Sequence, residues 1–148
     1  MYSLNNNPEG QVYKELLDIA FDACDEFILV QRPDMDFEES AQRIIKLLEP
    51  FLIEKKKSRS WPGTTLLEQI ADVYRYRADK EAQKILLEAT ESLYSWVQPK
   101  LPEDLCFFKN KNTWMSSTAH ERQCDFESLS DDEVLRLKKL SGLQIRKI

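Results

Sequence analysis

Apolar positions in the first part of the chain recur three and four residues apart. Val12, Leu16, Ile19, Ala20, Ala23, Phe27 and Val30 share one face at that spacing, which is the period of an α-helix. Asn7-Pro8-Glu9 supplies a cap residue and a proline where its missing N–H costs nothing. The pattern predicts a first helix running to about Gln31. Leu17, Phe21, Cys24 and Ile28 widen its apolar face past half the circumference, which predicts burial on two sides. Glu15, Asp18, Asp22, Asp25 and Glu26 gather in the narrow polar stripe that remains.

Arg32-Pro33 ends that helix, because proline disfavours helical geometry in the residue before it. Asp36 and Glu39 fit a capping pair for a second helix, with Phe37, Ala41, Ile44, Ile45 and Leu48 facing inward until Pro50. The charge run from Glu54 to Arg59 reads as a solvated connector. Thr65 with Glu68 opens a third helix through Leu66, Leu67, Ile70, Val73 and Tyr74. Asp79 caps a fourth, which keeps its period through Ile85, Leu86, Ala89, Leu93, Trp96 and Val97 before Pro99 and Pro102 close it.

Helical spacing stops at Leu101. Leu105 to Phe108, a polar Lys109-Asn110-Lys111-Asn112 and Thr113 to Met115 predict a β-hairpin, with a third strand from Gln123 to Glu127. Ser130 with Glu133 is a capping box for a closing helix carrying Val134, Leu137 and Leu140. The expected architecture is α+β and mainly helical. About four N-terminal helices precede a small antiparallel sheet near residues 105–127 and a short C-terminal helix, in one domain over residues 1–148. Only 3 glycines in 148 residues agree with a helix-rich chain.

The charge narrows the functional classes. A net charge of −5 argues against non-specific binding to nucleic acid, which needs cations to displace counterions from phosphate. The three cysteines, 24, 106 and 124, are odd in number and contain no CxxC, which points to a reducing cytoplasm. Tyr2 to Asn7 has neither the basic region nor the apolar core of a signal peptide. No apolar stretch approaches the length that spans a membrane.

Candidate chemistry centres on His120, the only imidazole, with Glu121 beside it. A general acid or base needs a pKa near the working pH and a partner that orients it, and a His with a carboxylate supplies both. Adjacent strand residues point to opposite faces, so this pair needs a turn at 120; otherwise His120 is a structural residue at a strand end. Cys106, Cys124 and His120 offer soft donors for zinc, but the close cysteine pair of a structural site and a fourth ligand are both missing. No metal or other cofactor is expected. Ser116, Ser117 and Thr118 near His120 lack a GxSxG elbow, and three glycines cannot build the phosphate-binding loops.

The acidic stripe of Glu15, Asp18, Asp22, Asp25 and Glu26 fits a basic partner, whose arrival such a field would steer. Magnesium binding would need acidic motifs on two facing helices, and only one is evident. Residues 1–53 hold 11 acidic and 4 basic side chains, and the segment 54–59 is net basic. Trp61 and Trp114, flanked by proline and charge, suit the rim of a groove where tryptophan anchors a partner.

Three stretches carry a resemblance: Trp61-Pro62-Gly63-Thr64, Leu93-Tyr94-Ser95-Trp96, and Leu101 to Phe108 with Trp114 and Ala119-His120-Glu121. Over about residues 60–125 the chain resembles a group of small cytosolic proteins of spore-forming bacteria, some of which carry a stage III sporulation label. The resemblance implies no settled activity and transfers no catalytic residue. The leading expectation is a small acidic cytosolic protein that neutralises a basic protein partner, in the manner of immunity or phage anti-defence proteins. The alternative is a small hydrolase or nucleotide-binding enzyme using His120 and Glu121. A homodimer through the wide apolar face of the first helix is a further possibility.

Overall fold

Two runs with helical spacing form strands instead. The computed structural model describes residues 1–148 and is built on an eight-stranded sheet, antiparallel at every pairing, so the mainly helical architecture does not hold. The elements run β1 (Tyr2–Leu4), α1 (Gln11–Ala23), β2 (Glu26–Gln31), α2 (Glu39–Leu47), β3 (Leu52–Ser58), β4 (Ser60–Trp61), β5 (Thr64–Thr65) and β6 (Ala71–Arg77). Then come α3 (Lys80–Ala89), β7 (Glu103–Lys109), β8 (Asn112–Thr118), β9 (Gln123–Phe126), α4 (Asp131–Lys138) and β10 (Ile145–Lys147). Across the sheet the order is β10-β1-β9-β8-β7-β2-β6-β3, and β4 with β5 makes a separate small hairpin.

The expected first helix is two elements. Gly10, at φ 62°, precedes α1 in place of Asn7, and Cys24 is already extended at its other end. Phe27 to Val30 then fill β2, a central strand between β6 and β7. That strand is buried on both faces, and a short continuous apolar run does not distinguish strand from helix by period. The expected third helix is β5 and β6. In β6, Tyr74 and Tyr76 face one way while Val73 and Arg75 face the other, which is strand alternation. The charge run 54–59 lies largely in β3, an edge strand whose lysines discourage pairing with another chain. The fourth helix stops at Ala89, and Leu93–Ser95 form a 3-10 turn.

The helices pack on one face of the sheet. Leu16, Leu17 and Ala20 of α1, Ile44 of α2, Leu86 of α3 and Leu137 of α4 share a core with Phe27, Leu29, Tyr76, Leu105, Phe107 and Phe126 from the strands. On the other face a smaller cluster of Ile28, Val30, Ala71 and Cys106 lies under Trp61 and Leu66, brought there by the β4–β5 hairpin. That hairpin covers part of the second face, where Val73 and Phe108 stay only partly buried. No helix is long and apolar enough to cross a membrane.

Candidate functional site

The start of β7 departs from regular pairing. Val30 pairs with Glu103 and Ile28 with Cys106, so Asp104 and Leu105 together oppose Leu29. Asp104 adopts φ 56°, in the left-handed region that Asp tolerates better than most residues. Bulges of this kind re-aim side chains, and here two adjacent carboxylates end up buried, Glu103 at 0% and Asp104 at 2% exposure.

Each carboxylate ties distant segments together. Asp104 Oδ2 accepts the Trp61 indole N–H at 2.9 Å, and Oδ1 accepts the backbone N–H of Ala119 at 3.0 Å. Glu103 Oε1 accepts the backbone N–H of Gln98 at 2.8 Å and lies 3.0 Å from His120 Nε2. Gln98 in turn clasps the loop after β2. Its side-chain amide donates to the carbonyls of Arg32, Met35 and Asp36, and its oxygen accepts the Arg32 N–H.

The second oxygen of Glu103 is buried and has no partner. Burial raises the Glu103 pKa; the Gln98 N–H and His120 oppose that rise while Asp104 adds to it, and the net shift is upward. Asp104 is also raised by burial, against the bonds from Ala119 and Trp61. Uncompensated burial of a carboxylate oxygen is costly, and such costs concentrate where a group has work beyond packing.

His120 sits in a 3-10 turn (Ala119–Glu121) between β8 and β9, with 42% of its side chain accessible. It lines a polar cleft of about 920 Å³ between that turn, residues 90–97 and the segment before α1. The far wall is held in place by its own bonds. The Asn7 side chain donates to Glu9 at 2.7 Å and to Ser92 Oγ at 2.9 Å, and its Oδ1 accepts the Tyr94 N–H at 3.3 Å. Arg122, left-handed at φ 54°, contributes a cation to the same cleft, and Glu9 and Glu91 contribute carboxylates.

His120 lines the cleft, but its sequence neighbour is not its partner. Glu121 is exposed and makes no hydrogen bond to His120; the orienting carboxylate is Glu103, 17 positions earlier. The available signal was a Glu-Asp pair opening an otherwise apolar strand, Glu103-Asp104 before Leu105 to Phe108.

Neither tryptophan is an exposed partner anchor. Trp61 is 6% exposed and Trp114 0%, with their N–H groups bound to Asp104 and Glu133; Trp114 is wholly enclosed, and Trp61 shows only a sliver of its ring, to a small concavity on the sheet. The acidic stripe is dispersed. Asp22 binds Lys80 at 3.1 Å and Arg136 at 3.2 Å, contacts that hold its pKa below the usual carboxylate range. Glu26 lies in β2 against Arg75 at 2.8 Å, Asp25 lies between the helix and that strand, and Asp18 accepts the Gln83 amide. Glu15 accepts from Gln11 at 3.0 Å. Cys106 packs in the open-face cluster and Cys124 in the helix-side core, so the sheet stands between them.

The network thus joins the β4–β5 hairpin, the start of β7 and the turn after β8 through Trp61, Glu103, Asp104 and His120. Compared with protein-family models, with curated proteins and with solved structures, the chain matches none.

Proposed function

We propose that the chain is a small hydrolytic enzyme, with His120 as general base and Glu103 as the residue that orients it. The observation that carries this reading is the fully buried carboxylate behind the half-exposed imidazole, at the edge of a large polar cleft. With Nε2–H donating to Glu103, a tautomer assigned from the acceptor it faces, Nδ1 keeps its lone pair. A water at Nδ1 gives its proton to the imidazole as its oxygen attacks an ester carbonyl or phosphorus. The imidazolium, stabilised by Glu103, then returns the proton to the leaving oxygen. Arg122 is placed to receive an anionic group of the substrate, and the wall of Asn7, Ser92 and Ser95 to receive hydroxyls.

The test is hydrolysis of a panel of small esters and phosphoesters by the wild-type protein and by His120→Asn and Glu103→Gln. The expected result is a loss on the order of 10²–10⁴ in kcat for His120→Asn. Equal rates in wild type and His120→Asn would reject the role.

A second reading keeps the chain as a neutraliser of a basic protein. It draws on Glu15, Asp18 and Asp25, outward carboxylates that enter none of the ion pairs of the fold. Charge reversal at Asp18 and Asp25 would then slow association with the partner severalfold and flatten its salt dependence; unchanged association rates would count against it. The three unpaired cysteines support a cytoplasmic setting for either reading.

A further inference from the structure

The open face of the sheet holds a second concavity, and the β4–β5 hairpin forms one side of it. Its volume is about 240 Å³. Ile28, Val73 and Phe108 line it from adjacent strands, Trp61 and Pro62 line it from the hairpin, and Lys56 and Arg75 supply its cations. We infer that this cavity is a ligand site for a small aromatic monocarboxylate, and that its occupancy is transmitted to His120 through Trp61.

Size and lining set the aromatic part. The volume lies below the usual span of ligand pockets, which limits the occupant to one or two rings. Aromatic and branched side chains from three strands and a hairpin give flat apolar surface suited to such a ring. Charge sets the rest. Arg75 is already bound to Glu26 at 2.8 Å and Glu54 at 2.9 Å, whereas Lys56 enters none of the ion pairs. Lys56 pairs with Val73 in the sheet, which places both on the cavity's face. One uncommitted cation beside Glu54 favours a single negative charge over two.

The link to the cleft is a short chain of bonds. Trp61 Nε1 donates to Asp104 Oδ2 at 2.9 Å, and the other oxygen of Asp104 accepts the N–H of Ala119 at 3.0 Å. Ala119 begins the turn that carries His120, and His120 is bound to Glu103, the residue before Asp104. A ligand that shifts the indole therefore acts on both ends of the His120 anchorage. The route is a continuous set of bonded groups, most of them buried.

The experiment is an NMR titration of the intact protein with indole-3-acetate. His120 is the only imidazole, so its ring resonances are read without assignment ambiguity. Expected are saturable shifts at the amides of Ile28, Val73 and Phe108 together with movement of the His120 ring. Lys56→Glu, at an exposed position of an edge strand, should weaken the affinity at least fivefold, and the uncharged 3-methylindole should bind more weakly than the acid. Absence of saturation, equal affinity in Lys56→Glu, or saturation with the His120 ring unmoved would each overturn the proposal. Turnover is not measured, so the outcome is independent of whether His120 is a catalyst.

Discussion

At the scale of single residues, buried polar atoms show how the sequence is used. Each tryptophan N–H has an acceptor: Asp104 for Trp61, Tyr13 Oη for Trp96 and Glu133 for Trp114. Satisfying the N–H is what lets an indole lie in a core, and two of these acceptors are carboxylates. Glu103 is different, since one of its oxygens has nothing to receive. Its folded pKa is raised, so between the ordinary glutamate value and the raised one the folded state holds more proton than the unfolded state. Stability contributed by the protonated form is full below that window and is lost as pH rises through it. Glu103→Gln removes the titration. Wild type should therefore lose stability relative to Glu103→Gln as pH climbs from 4 to neutrality, measured by urea unfolding of both proteins. A constant difference across that range would show that the buried carboxyl does not titrate in this window. The residue sequence also explains why the Glu103 partnership was hidden. Proximity in sequence favoured Glu121, whereas the true neighbour comes from an adjacent strand through a bulge that no local pattern announces.

At the scale of elements, two of the five expected helix caps form. Ser130 and Glu133 form the reciprocal capping box that their spacing predicts, and Asp79 caps α3 by accepting the Glu81 N–H at 2.9 Å. The other three do not: Gly10 stands at the cap of α1 in place of Asn7, Glu38 at that of α2 in place of Asp36, and Thr65 lies in a strand, so a local cap signal acts only where packing already allows a helix. Strands β2 and β6 depart from their helical spacing for a related reason. Sheet pairing, not period, decides their state, and β2 has neighbours on both edges and apolar contacts on both faces. Glu133 does more than cap. Burial raises its pKa, but bonds from Lys109, the Ser130 N–H and Trp114 outweigh that and hold it below the usual range. Ser130→Ala should cost about 1 kcal/mol, the loss of a cap alone. Glu133→Ala should cost about 2–4 kcal/mol, because it also strands the buried Trp114 N–H. Thermal unfolding of the two variants gives the comparison; equal losses would mean that Glu133 contributes nothing beyond the helix end.

At the scale of the whole molecule, the charge pattern and the fold give different pictures. Residues 1–53 are strongly acidic in sequence, yet folding brings Asp22 to Lys80 and Arg136, and Glu26 to Arg75, so two of the five carboxylates of the expected stripe are neutralised by later parts of the chain. The sheet itself was the largest feature not legible, since only its hairpin region carries local turn signals. Three crossings by α1, α2 and α3 place β2, β3, β6 and β7 side by side out of chain order, and such order is set by packing over long separations. The same order governs how the chain can assemble. Strand β1 pairs only with β9 and β10, through Tyr2 with Phe126 and Lys147. During synthesis β1 emerges well before either partner and stays unpaired in this sheet until residues 123–126 and then 145–147 have followed it. The half of the sheet around β1 therefore closes last, whatever speed the rest attains.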